Sequence, residues 1–162
     1  MNTDFIIIDP RPLEAFKDET FSNFKKRDVI NKLFKCIEDG KIEESCYWVT
    51  ECICSGYSIE LFEKLMIFSS KIVHINSPKL PEYFWRRYLT FISSYNHIGK
   101  KEKAQLIHLR NTQSVRNIFF DLITTIILSP KPKRFDKLTK VKEDDFQYSK
   151  IQNKLKATMQ VL

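Results

Sequence analysis

Only three glycines occur in 162 residues, and two of them, Gly40 and Gly56, fall where apolar runs of helical period stop. Glycine just past a helix end adopts the left-handed backbone that closes the last turn, so the pattern predicts helix, stop, helix, stop, helix. The first stripe is Val29, Ile30, Leu33, Phe34 and Ile37, with Asp28 as its expected N-cap. The second is Ile42, Cys46, Val49 and Ile53, with Trp48 beside it. Ser58 is the expected cap of a third, in which Leu61, Phe62, Leu65, Met66, Phe68, Ile72 and Val73 span an arc wide enough for a central, mostly buried helix. Three such segments on short connections predict an antiparallel bundle.

Asn76 to Pro81 breaks the pattern, and Pro81-Glu82 suits the first turn of a fourth helix, where proline gives up only an unpaired N–H and a carboxylate meets the positive dipole end. Phe84, Trp85, Tyr88, Leu89, Phe91 and Ile92 read as its core face, with Arg86 and Arg87 opposite. A basic link, Asn96 to Lys103, leads through a short segment to Asn111, the expected cap of a helix carrying Val115, Ile118, Phe119, Leu122, Ile123, Ile126 and Ile127, which Ser129-Pro130 ends. Upstream, Phe5 to Ile8 is a short β-like run followed by Asp9-Pro10-Arg11-Pro12, whose prolines forbid a continuing helix. The expected organisation is all-α. It has an extended arm over residues 1–23, a helical bundle domain of about six to seven helices over 24–129, and a basic loop with a short C-terminal helix over 130–162, anchored by Ile151 and Leu155.

A chain of this length buries a core without disulfide or metal, and thirteen Phe, six Tyr and two Trp supply the apolar surface. Cys36, Cys46, Cys52 and Cys54 fall in predicted helices, where cysteine acts as a small hydrophobe. Cys52 and Cys54 are two apart and so turn to different faces, which excludes pairing between them or joint chelation of one ion. His74, His97 and His108 lie in different segments, so neither a metal nor another cofactor is expected. The chain begins without a basic leader or a small-residue cleavage site, and its longest apolar stretch, Ile118 to Leu128, is too short and too interrupted for a membrane span. An intracellular, reducing location is expected.

The net charge of +7 is unevenly spread. Between Lys41 and Ser70 five glutamates face only Lys41 and Lys64, whereas Lys71 to Lys142 holds fifteen Lys and Arg against Glu82, Glu102, Asp121 and Asp136, about +11. The candidate residues for nucleic acid or another anion are Arg86, Arg87, Lys100, Lys101, Arg110, Arg116, Lys131, Lys133 and Arg134, because phosphate contacts release counterions and need no base-specific geometry. A solvated charge run, or a face for an acidic protein, is the competing reading. Arg110-Asn111 and Arg116-Asn117 admit two readings: an anion clamp at a helix start, or a cap with hydrogen bonds tying the helix to its neighbour. Phe5, Ile6, Ile7 and Ile8 are the candidate partner-binding residues, able to add to a neighbour's sheet or to lie across the body; a partly ordered terminus is the competing reading.

The adjacent carboxylates Glu43-Glu44 and Asp144-Asp145 diverge around a helix and have no histidine beside them. No glycine-rich phosphate loop, nucleophile elbow or metal signature occurs. A non-enzyme without a small-molecule substrate is expected.

The stretch Ile37-Glu38-Asp39-Gly40, then Ser45-Cys46-Tyr47-Trp48-Val49, then Gly56 and an apolar helix, resembles the C-terminal helical, collar-type region of clamp-loader-related AAA+ ATPases over about a quarter of the chain. The chain has no nucleotide-binding motif, so the resemblance implies helical packing or self-association and not ATP hydrolysis. A broader resemblance runs from Val29 to Ala157. It is carried by Cys54-Ser55-Gly56-Tyr57, the Ile75 to Pro81 loop, the two Arg-Asn pairs, Ser129-Pro130-Lys131, Asp144-Asp145-Phe146 and Lys154-Leu155-Lys156-Ala157. In these the chain is similar to an uncharacterised protein family of giant, AT-rich eukaryotic DNA viruses. That resemblance implies the infected host cell or the virion as location. The expected function is a non-enzymatic interaction or scaffold protein, virion-associated in the manner of a minor capsid protein, with a protein partner or a second copy of itself. The alternative is an accessory factor of viral replication or transcription that binds nucleic acid through its basic C-terminal half.

Overall fold

A computed structural model describes residues 6–73, 76–96, 105–131, 147–149 and 152. The chain divides into two units, Met1–Pro132 and Lys133–Leu162. The helices α1 (Lys26–Glu38), α2 (Ile42–Cys54), α3 (Ser58–Ile72), α4 (Leu80–Asn96), α5 (Gln105–His108) and α6 (Gln113–Leu128) belong to the first, with 3-10 turns at Leu13–Phe16 and Leu109–Asn111. The fold is all-α, and no strand forms among the described residues; the backbone pairs in β fashion at a single isolated bridge, Glu19 with Lys25. No described helix is long and apolar enough to cross a membrane. In the second unit Tyr148 is exposed, and the expected anchors Ile151 and Leu155, like the acidic knot at 143–145, lie outside the described residues.

The two glycines close their helices in the same way. Gly40 N donates to the Ile37 carbonyl at 3.2 Å and Lys41 N to Cys36 at 2.9 Å; Gly56 N donates to Ile53 at 3.1 Å and Tyr57 N to Cys52 at 3.0 Å. These are paired Schellman closures, and their glycine φ values of 75° and 79° are ones that an L side chain adopts only under strain. The helix starts differ from expectation. Lys25, not Asp28, is the N-cap of α1, Tyr57 precedes α3 so that Ser58 is its first residue, and Thr112, not Asn111, caps α6. None of the three caps through its side chain.

The core draws Val29, Leu33 and Ile37 from α1, Val49, Cys52 and Ile53 from α2, and Leu61, Phe62 and Leu65 from α3; Phe84 and Phe91 of α4 and the Val115-to-Ile126 stripe of α6 complete it. Phe62 is the aromatic hub, with ring centroids at 6.0 Å from Phe84, 5.4 Å from Tyr88 and 5.8 Å from both Phe91 and Phe119. The central position expected for α3 belongs instead to α6, which packs on α1, α2 and α4. On α3, Met66 and Ile67 are exposed.

The arm is part of this body. Phe16 enters the core, and residues Glu51 to Ser58, the end of α2 and the turn into α3, are buried without interruption. Connections usually lie in solvent because buried backbone needs partners, and here the arm provides them. Phe21 N donates to Ser55 Oγ at 2.8 Å, Ser22 N and Oγ donate to the Glu51 carboxylate at 2.6 and 2.9 Å, and the Tyr57 hydroxyl reaches the carbonyls of Phe16 and Glu19. Of the three arm readings, the described part of the segment lies across the body.

Candidate functional site

Three surfaces merit examination: the arm's arginine node, the basic residues and an apolar helix face. At the node, Asp9 is anchored by Arg11. The guanidinium Nε lies 3.1 and 2.9 Å from the two carboxylate oxygens, Nη2 lies 2.6 Å from Oδ2, and Arg11 N donates to Oδ1 at 2.9 Å. These hydrogen bonds, from side chain and then backbone, together with the charges of Arg11 and Arg110, hold the Asp9 carboxyl at about 2, below its usual 3.8. Beneath it Arg110 is 2% exposed, with Nη1 3.7 Å from Asp9 Oδ2 and its guanidinium near the rings of Phe16 and Phe21. Burial pushes the Arg110 pKa down, against the pull of Asp9. Asn111, freed from capping, pairs in both directions with the Ile7 backbone, accepting from its N–H at 2.9 Å and donating to its carbonyl at 3.0 Å, as a neighbouring strand would.

Of the described basic residues expected to face phosphate, Arg86, Arg87, Arg116 and Lys131 bond within the fold. Arg86 pairs with Glu82 at 2.6 Å along α4, and Arg87 ties α4 to α6 through Asp121 at 2.8 Å while bonding the Tyr83 hydroxyl at 3.1 Å. Arg116 donates to the Arg110 carbonyl, and Gln113 ties to Asn117 at 2.8 Å. Lys131 Nζ donates to the Ile127 carbonyl at 2.8 Å, where a cation meets the negative end of α6. Arg110 packs inside beneath the arm, so its side chain is not presented on the outer surface. Lys100, Lys101, Lys133 and Arg134 lie outside the described residues, as does Phe5.

One basic cluster escaped the sequence reading. Lys17, Lys25, Lys26, Arg27 and Lys64 line an open groove of about 740 Å³ together with Asp18, Glu19 and Glu60. Glu60 pairs with Lys26 at 2.5 Å and with Lys64 at 3.6 Å. The run Lys25-Lys26-Arg27 was a visible signal, but it lies in the half of the chain where acids outnumber bases.

The third surface corrects the expected core face of α4. Phe84 and Phe91 are buried, but Trp85 is 58% and Leu89 51% exposed, with Tyr88 half-buried and stacked on Trp85 at 5.8 Å and 27°. Arg86, expected on the opposite side, shares this exposed surface. Beside it a cleft of about 120 Å³ is lined by Met66, Ser69, Ser70, Ser77, Leu80, Pro81 and Phe84. On the arm, Ile6 and Ile8 are 58% and 91% exposed, flanking the tethered Ile7.

All four cysteines are free thiols. Burial raises each of them, Cys52 to about 12, so none is poised as a nucleophile. Among the described residues no group of three His, Cys, Asp or Glu side chains is placed to hold a metal ion. No protein-family model matches the chain, and no curated protein matches its sequence.

Proposed function

We propose that the protein is a non-enzymatic helical interaction protein that binds a protein partner through the outer face of α3 and α4, with the exposed isoleucines of its arm as a second point of grip. The observation that carries this reading is the exposure of Trp85 and Leu89 one turn apart on α4, with Met66 and Ile67 also exposed on α3 and Met66 lining a cleft with Phe84 of α4. Tryptophan, tyrosine and methionine are enriched at protein interfaces, where a few large apolar anchors supply most of the affinity. The resemblance to a giant-virus family suggests a viral source, which makes the infected cell or the virion the setting for such a scaffold, in the manner of a minor capsid protein. Arg87, Arg116 and Lys131 are bonded within the fold, which favours a protein over a nucleic acid as the partner.

The test is to cross-link the protein to its neighbours in its source cell, identify the partner by mass spectrometry, and titrate the purified pair at about 0.1 M and about 1 M salt. Binding should persist at high salt. Trp85→Ala with Leu89→Ser should weaken it about thirtyfold, the loss expected of a hot-spot anchor, while melting stays near that of the parent. Undiminished binding by that variant would sink the proposal. So would affinity for nucleic acid that falls steeply with salt, which would move the function to the cations of the C-terminal half.

A further inference from the structure

The interior of the arm node holds more donors than the fold uses. Arg110 Nε and Nη2 and Arg116 Nε are buried, and none has a hydrogen-bond partner among the described residues. Buried polar atoms are almost always paired, and a buried guanidinium without full pairing is costly, so each exception calls for an explanation. The two orphaned atoms of Arg110 are the parallel donors of one guanidinium edge, the fork that grips an oxyanion with two bonds. The remaining nitrogen, Nη1, points to Asp9 at 3.7 Å, beyond hydrogen-bonding distance, and that carboxylate is already held by Arg11. Arg116 lies against the same turn, with Nη2 bonded to the Arg110 carbonyl.

The charge is equally unbalanced. Arg11, Arg110 and Arg116 gather at the node, where Asp9 is the one carboxylate among the described residues within ion-pair distance of any of them, and Glu51, bonded to Ser22, acts on Arg11 only from farther off. Water would satisfy the donors and leave the charge, whereas an anion does both. Immediately after the turn, α6 opens at Gln113 with no side-chain cap, so its positive end adds to the same field.

We propose that the orphaned edge of Arg110, beside Arg116, binds a small oxyanion of the phosphate class. The fork grips two oxygens, and the second guanidinium, held against the same turn, adds a charge that favours a multiply charged oxyanion over a carboxylate. The burial of the donors excludes the backbone of a nucleic-acid duplex, so the ligand is a free anion admitted when the strap from Ile7 to Arg11 lifts. The site is separate from the apolar face of α3 and α4, and its occupancy would fasten the arm to the body.

The full-length protein is titrated with inorganic phosphate, and with chloride and acetate at matched ionic strength, while arginine Nε–H signals are followed by ¹H–¹⁵N NMR and melting is measured in parallel. Phosphate should move two protected Nε–H signals in a saturable way and raise the melting temperature beyond the chloride control. Arg110→Lys, which keeps the charge and loses the fork, and the half-buried Arg116→Gln should each weaken phosphate binding by about tenfold or more. If either variant does not fold, the titration of the parent protein still decides. No saturable shift, an equal shift with chloride or acetate, or full phosphate binding in folded variants would overturn the assignment.

Discussion

Replacing Gly56 by alanine tests how the arm and the α2–α3 turn are fitted together, with Gly40→Ala as an internal control. Both glycines have positive φ in the same closure, so each alanine pays about 1–2 kcal/mol of left-handed backbone strain. Both also gain the same small offset, about 0.4–1 kcal/mol, from a less flexible unfolded chain. The surroundings differ. A Cβ on Gly40 meets nothing within 4 Å, whereas on Gly56 it comes within 2.6 Å of Leu13 Cδ1 in the arm's first turn. Leu13 must move, and because the atom displaced is the tip of a half-buried side chain the added cost is at the low end for overpacking, about 1 kcal/mol. Gly40→Ala should therefore destabilise by about 1 kcal/mol and Gly56→Ala by about 2 kcal/mol. Urea unfolding followed by far-UV circular dichroism measures both. In a Leu13→Ala background the excess cost of Gly56→Ala should largely disappear, giving a coupling of about 1 kcal/mol. Equal costs for the two glycines, or no coupling to Leu13, would refute the claim that the arm seats against the turn.

Acid should loosen the arm through Asp9. Its folded carboxyl titrates at about 2 against 3.8 when unfolded, so its contribution is complete above the unfolded value and is lost as pH falls toward 2; Asp9→Asn should flatten that limb of a melting-temperature profile. Phe62→Ala removes the aromatic hub and should cost about 3–5 kcal/mol by urea unfolding, and a loss under about 1 kcal/mol would contradict the packing described. In a thiol-labelling time course at neutral pH, half-buried Cys46 should react first and Cys52, with its thiol pushed up to about 12, should react only on unfolding.

The helices were legible because glycine and period are local signals: Gly40 and Gly56 each mark a stop that backbone sterics impose within a few residues. What the sequence concealed depends on contacts between distant residues. Trp85 and Leu89 look like core because an apolar residue at helical spacing carries no mark of whether another helix covers it. Arg110 looks like surface because its burial depends on Asp9, about a hundred positions earlier. Asn111 has the composition of a cap, yet its amide is taken by Ile7, and the backbone of Thr112 serves instead. The arm's course across the body was one of three open readings, since extended residues with prolines read alike whether they pack on their own chain, await another or stay partly ordered. The cations at Lys25 to Arg27 show the same limit, because only the fold brings Lys17 and Lys64 to their groove.

The pairing of Ile7 with Asn111 spans 104 positions. The outer end of the arm therefore cannot be tied down until Asn111 has been made, whereas its inner end can close on the turn at Glu51 to Ser58 as soon as Tyr57 is in place. A nascent chain halted between these points would carry a covered turn under a strap fastened at one end only, with Ile7 still open to proteases and chaperones.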